Sequence, residues 1–483
     1  MSHEKILFVL DLLQFKKVFY GDARFVHIKQ RIVSAKNGHP SVLEEKESLG
    51  LGVRALKNNG WGFGCTADLS TRGLERAVSR ALETASASAK VRVFPTELSH
   101  EAPIQTSWKT PVRIDPWQVD PAEQVAYLLE CEKRLRSAKG IILTDSRMEF
   151  VKKFQIFGST QGSLIESLKS LAGGGLSCKA INGHELQKRS YPNPSYDYRC
   201  GGYEVISDLK LKEESFRIRD EALLLLKSRP CPEGKRDLIL RDSILALQIH
   251  ESLGHAAELD RVYGHEDNFG GRTFLKPAML DREKIGSRQV TLVANRPEDK
   301  SGAGFAAYDD EGVPARETRV VKEGLFTGYL SSRETAARSG LPRASGSMVA
   351  EDWSHFPLIR MTNLSLLPGN RPVEAIVSEV REGILLDTES SWSIDEERGD
   401  FQIGAEIAWH VKNGKIAGAY KNSLYRGNST RFWKQCSEVA DAASYRVTGF
   451  PDCGKGGPMQ QAFVSHGCSP ALFQGVECYA SGS

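Results

Sequence analysis

Apolar and polar positions alternate with a period of two at several places in the first hundred residues. Phe25 to Val33 predicts a strand closed by an Asn37-Gly38 turn, and Gly50 to Leu56 and Trp61 to Cys65 predict two more. The period then lengthens. Leu74, Ala77, Val78, Ala81, Leu82 and Ala85 recur at helical spacing, which gives one apolar face to lie on that sheet. Asp120-Pro121-Ala122-Glu123 combines an N-cap, a proline at the first helical position and an early acidic residue, and so predicts the start of a second helix. Strands at Ile141 to Thr144 and Glu149 to Phe157, a turn at Gly158 to Gly162 and a helix from Ser207 to Lys227 complete the first half.

Arg229-Pro230-Cys231-Pro232-Glu233-Gly234 interrupts every pattern, and the main boundary is expected there. It divides the chain into residues 1–233, with a further subdivision at 1–100 and 101–233, and residues 234–483. The second part has one helical segment around Ser243 to Leu259 and then mostly strands. Asn413-Gly414 is a strong hairpin signal and Glu323-Gly324 a weaker one. The expected class is α+β: an N-terminal α/β region with a mixed sheet and amphipathic helices, then a mostly β domain carrying the helix of a His-Glu-x-x-x-His motif.

Composition narrows the function without naming it. The 483 residues exceed one ordinary core, and 26% charged with 40% hydrophobic residues is globular usage. A net charge of +3 with no long block of one sign points neither to nucleic acid nor to a membrane as the main partner. Nine cysteines, an odd number with no CxxC pair, fit reduced thiols and a cytoplasmic location. Met1 to Phe15 is apolar but broken by Glu4, Lys5 and Asp11 with no small-residue cleavage site after it, so a signal peptide is not expected. Nor does any apolar run reach the roughly 18 residues of a spanning helix.

The chemistry concentrates in His250-Glu251-Ser252-Leu253-Gly254-His255, followed by Glu258 and Asp260. Histidines four apart on a helix share one face and can meet one zinc while a glutamate handles water. Here they are five apart, which on an ideal helix offsets the second ring by about 140°. A π-bulge or a kink at Gly254 would restore a common face; otherwise the two are unrelated histidines, one buried and one solvated. A catalytic zinc also needs a third protein ligand and an open position. Glu258, Asp260 and His265 are local candidates, and Cys453, in a glycine-flanked loop, is a remote one. Spacing alone ranks Cys453 no higher than Glu258.

The run from His250 to Asp260 resembles the HEAxGHxxExD signature of the TldD/PmbA family of metallopeptidases. Asp309-Asp310-Glu311-Gly312-Val313-Pro314, Arg360-Met361-Thr362-Asn363 and Cys453-Gly454-Lys455-Gly456 are similar to further blocks of that family, in order. So is Tyr20 to Cys65. In keeping the metal motif, the chain resembles the TldD-like branch rather than the metal-less PmbA branch. The resemblance implies Zn²⁺ held by His250, His255 and Cys453, with Glu251 as general base. Glu258 and Asp260 would then orient the histidines, and Asp309, Asp310, Arg360, Asn363 and Lys455 would support the site or line a substrate cleft.

The implied activity is hydrolysis of short or unstructured polypeptides held in extended form, in a cytosolic homodimer or a heterodimer with a PmbA-like subunit. The alternative is an inactive peptide-binding or regulatory subunit of such a complex with a structural zinc. Two departures stand out: Ser252 occupies a usual alanine position, and Gly457-Pro458 follows the cysteine block where glutamine is common. The tail beyond Pro458, with Cys468 and Cys478, matches less well.

Overall fold

The computed structural model describes residues 2–268 and 270–481. The opening apolar stretch, which the sequence reading left without an element, is helix α1 (Ser2–Phe15). It buries Ile6, Val9, Leu10 and Leu13, spaced three and four apart, and leaves Glu4 and Asp11 exposed.

Strands β1 (Tyr20–Lys36), β2 (His39–Lys57) and β3 (Gly60–Thr66) form an antiparallel meander. Helix α2 (Thr71–Ala89), capped by the Ser70 side chain, lies on it. Gly60, Gly62 and Gly64 alternate along β3. A Cβ on Gly60, Gly62 or Gly64 would stand 2.3, 1.9 or 2.1 Å from the carbonyl oxygens of Ala85, Ala81 and Ala77, so these glycines set how closely the helix approaches.

After β4 (Gln105–Lys109) and helix α3 (Pro121–Leu135), capped by Asp120, two 19-residue strands follow, β5 (Ile141–Ser159) and β6 (Leu164–Asn182). Where alternation predicts two strands, β5 is continuous, because β1 and β6 pair with it straight through Asp145 to Met148. With β7 (Glu185–Tyr191) and β8 (Asp197–Cys200) on β6, the eight-stranded sheet has the path β3-β2-β1-β5-β6-β4. The single helix expected from Ser207 is two, α4 (Glu204–Leu209) and α5 (Leu211–Leu225). They are broken at Lys210 (φ 52°), so that Ile206 and Leu209 reach the same core as Ile218 and Ala222.

From residue 229 a second, ten-stranded mixed sheet is built, with Gly234–Leu240 between the parallel Glu382–Leu386 and the antiparallel Ala471–Ala480. Both predicted hairpins are present, Ala408–Lys412 with Lys415–Lys421 and Thr318–Lys322 with Leu325–Phe326. The architecture is α+β. Helix α6 (Asp242–Ile249) is buried on all sides, as an all-round apolar helix must be, and packs on the hairpin of Arg446–Lys455 and Gln460–Cys468. Buried ion pairs join the halves: Arg54 binds Asp22 and Glu311, and Arg189 binds Glu221 and Glu406. Among the described residues no helix is long and apolar enough to cross a membrane.

Candidate metal centre

Helix α6 runs into a π-helical turn at His250–Gly254, closed by a hydrogen bond from the His255 N–H to the His250 carbonyl five residues back. The wider turn takes up the extra residue that an α-helix could not. The two imidazoles come to a centroid separation of 4.8 Å with their planes at 88°. Gly254 is required by close approach, since a Cβ there would stand 2.1 Å from the Met361 sulfur. Ser252 is also accounted for: its hydroxyl donates to the Gln248 carbonyl and accepts from Trp433 Nε1 at 2.8 Å, which alanine could not do.

The hairpin Arg446–Lys455/Gln460–Cys468 brings Cys453 to this turn, with Sγ 3.7 Å from His255 Nε2. Donor atoms of His250, His255 and Cys453 all lie within 4.8 Å of one another, and all three residues are buried. The hydrogen-bond network fixes the tautomers. His466 Nδ1 lies 2.8 Å from the Leu364 carbonyl, which can only accept, so this nitrogen carries the proton. His466 Nε2 must therefore accept from His250 Nδ1, 2.9 Å away, leaving the His250 Nε2 lone pair free. His255 Nδ1 likewise donates to Glu258 Oε2 at 3.0 Å and frees its Nε2.

Electrostatics act in the same direction. Burial lowers the pKa values of His250 and His466, so both stay neutral. Burial pushes the Cys453 thiol up, but opposing influences led by the Arg360 guanidinium outweigh it and the net shift is downward, toward thiolate. Two neutral imidazole nitrogens and a thiolate suit a tetrahedral metal of borderline softness. Ligands around zinc stand about 3.6 Å apart, close to the spacing seen here for sulfur and His255.

The other residues singled out in the sequence surround this group in different ways. Glu258 lies behind His255, receiving Arg261 Nε at 2.8 Å and Lys455 Nζ at 3.1 Å. Asp260 touches neither histidine; it holds Lys455, whose amine also donates to the Ile359 carbonyl, so Lys455 fastens the cysteine loop to the turn carrying His255. Arg360 donates to the Cys453 and Gln460 carbonyls, and Asn363 bridges the Asp299 carbonyl and Ser465. These two brace the hairpin from within the core, where both are buried. Asp309 and Asp310 do border a cavity, while Asp309 also binds three backbone N–H groups of its own and neighbouring loops. His265 lies outside the donor group.

A family model for the PmbA/TldA metallopeptidase C-terminal domain matches residues 233–477, and one for domain 1 of the same family matches residues 21–85. The chain belongs to the TldD/PmbA metallopeptidases. A metalloprotease of Methanothermobacter thermautotrophicus is 28% identical over 441 residues, 91% of each chain. A TldD homolog of Haemophilus influenzae, also named a metalloprotease, is 22% identical over 464 residues, 95% of this chain and 92% of its own. The fold is shared with TldE of Thermococcus kodakarensis (TM-score 0.71, 17% identity, 98% of this chain and 100% of that one). It is shared too with a Thermotoga maritima protein named as a candidate modulator of a DNA gyrase (TM-score 0.79, 18% identity, 99% and 100%).

In this TldD/PmbA metallopeptidase, Glu251 follows His250 in the π-turn, and Arg398 Nη1 holds its Oε2 at 2.6 Å. Burial raises the Glu251 carboxyl, but opposing charge prevails and the net shift is downward; of the groups around it, the Arg398 guanidinium is the permanent cation. Sequence reading missed Arg398, Arg261 and His466. Arg398 sits at positive φ (63°) in a turn, and His466 lies in the tail set aside as a poorer match; neither has a spacing relation to the histidine motif.

Proposed function

We propose that the chain is a zinc-dependent peptidase hydrolysing peptide bonds of short or unstructured polypeptides in extended conformation, with zinc held by His250, His255 and Cys453. The observation that carries this reading is the convergence of two Nε2 lone pairs and a thiol beside an ionised Glu251. When bound there, zinc supplies Lewis-acid polarisation of water and of the scissile carbonyl. Glu251 takes the proton of the attacking water and later delivers it to the leaving amine. Arg398 occupies only Oε2 and fixes the carboxylate's position, while among the described residues Oε1 accepts no hydrogen bond and is available as the base.

An extended substrate fits a site bordered by strands, whose main-chain groups recognise a backbone without regard to sequence. Nine free thiols support a reducing, cytoplasmic setting. The proposed assembly is a homodimer or a heterodimer with a PmbA-like partner.

The test is metal analysis and cleavage of an unstructured peptide for wild type, Cys453→Ala and Glu251→Gln. Wild type binds one zinc, Cys453→Ala loses it, and Glu251→Gln keeps it with activity at least about a hundredfold lower. An active Glu251→Gln enzyme removes the general base; a zinc-replete Cys453→Ala protein removes the thiol ligand.

A further inference from the structure

The face of the first sheet turned away from α3 and α5 encloses a cavity of about 640 Å³ against residues 304–310, residues 348–352 and the cysteine hairpin. Alternate residues form its floor, Val151, Lys153 and Gln155 from β5 and Ser167, Lys169 and Leu171 from β6. Ala462, the register partner of Cys453, lies in its wall, so the cavity reaches the strand pair that carries the thiol.

Lys153 and Lys169 are directly opposite one another across β5 and β6. Like charges so placed destabilise a sheet, and burial pushes both amines below the ordinary lysine value. Lys153 donates to the Ala350 carbonyl at 3.1 Å; among the described residues Lys169 makes neither hydrogen bond nor ion pair. The carboxylates that face them are engaged elsewhere. Asp310 binds Arg24, Gln155 Nε2 at 2.7 Å and the Ala350 N–H at 2.7 Å. Glu351 accepts from the Gln461 N–H, and Asp352 from His355 and Ser354. Although Asp310 is the carboxylate that acts most strongly on Lys153, among the described residues neither amine forms an ion pair, and both stand on the floor of the cavity.

We propose that Lys153 and Lys169 form a subsite for a carboxylate of the peptide substrate, either its C-terminus or an Asp or Glu side chain. This rests on the peptidase reading above and adds a charge preference to it. Four peptides of one length separate the sources: a free C-terminal acid, its amide, the amide with one internal Glu, and that amide with Gln in its place. In wild type, kcat/KM for one carboxylate peptide exceeds that of its neutral counterpart by about tenfold or more, the effect of a hydrogen bond to a charged group. In Lys169→Met that ratio falls to near one. Acid over amide assigns the terminus and Glu over Gln the side chain, while equal rates for all four, or an unchanged ratio in Lys169→Met, overturn the subsite. Should wild type cleave none of them, the peptidase reading fails by itself, and calorimetry on zinc-loaded Glu251→Gln protein still tests the lysines. Tighter binding of a carboxylate peptide that Lys169→Met abolishes supports them, and equal binding of all four overturns them. Melting of Lys169→Met checks the structure independently: loss of an unpartnered cation raises the Tm, whereas a purely structural lysine would lower it.

Discussion

His466 Nε2 accepts a hydrogen bond from His250 Nδ1 at 2.9 Å, so a residue 216 positions away sets which nitrogen of His250 faces Cys453 and His255. The order of the relay is fixed at its far end by the Leu364 carbonyl, and Asn363 and Ser465 hold the two backbones together beside it. A residue that fixes a ligand's tautomer from behind typically changes metal affinity by about 10- to 100-fold. His466→Ala is accordingly expected to weaken zinc by that factor in a chelator competition, with His466→Gln, whose amide oxygen can still accept, recovering part of it. Affinity equal to wild type in both variants would show that His250 is held by its burial alone.

How much of this could be read from the sequence depends on the range of each interaction. The five-residue spacing of His250 and His255 required an irregular turn only if both were to share one face, because helix geometry is local, and the structure has a π-turn there. Cys453 carried only the local signal of a glycine-flanked loop, which ranked it no higher than Glu258; likeness to a family linked it to residues almost two hundred positions earlier. His466 and Arg398 carried none of either kind, being set by strand register and by a turn. Strand β5 shows a different limit. Arg147, Glu149 and Lys153 are polar positions on one face of that strand, and they line a cavity beneath the second half of the chain, which alternation cannot distinguish from open solvent. Asp309, Asp310, Arg360 and Asn363 were read as one group because their blocks recur together, but their side chains divide between that cavity and the packing behind the hairpin.

Ser252 tests whether the core around the turn depends on one hydroxyl. Removing it leaves the indole N–H of Trp433 buried with no acceptor, since Ser252 Oγ is its partner at 2.8 Å and both residues are fully buried. An orphaned buried donor costs about 1–3 kcal/mol, so Ser252→Ala should lower the unfolding free energy by that amount. Trp433→Phe removes the donor as well, and the double variant should lose less than the sum of the singles. Strict additivity in a denaturant titration would mean the two groups do not interact.

Glu389 gives a stability profile that runs opposite to the usual acid unfolding of proteins. Burial raises its carboxyl from 4.5 to about 7, and Ser243 Oγ donates to one oxygen without restoring the ionised form. The folded state thus binds this proton more tightly than the unfolded chain. Its contribution is complete below about pH 4.5 and is lost progressively as pH rises to about 7, above which the loss is constant. A shift of that size is worth about 3 kcal/mol. Glutamine keeps the carbonyl acceptor for Ser243 and never ionises, so Glu389→Gln should melt close to wild type at pH 4.5 and above it at pH 8. The gap between the two melting curves should open across the intervening range, because the other titrating groups are common to both proteins and cancel. A gap that does not change with pH would place the Glu389 carboxyl at its ordinary value despite its burial, with the ionised form stabilised by groups other than Ser243.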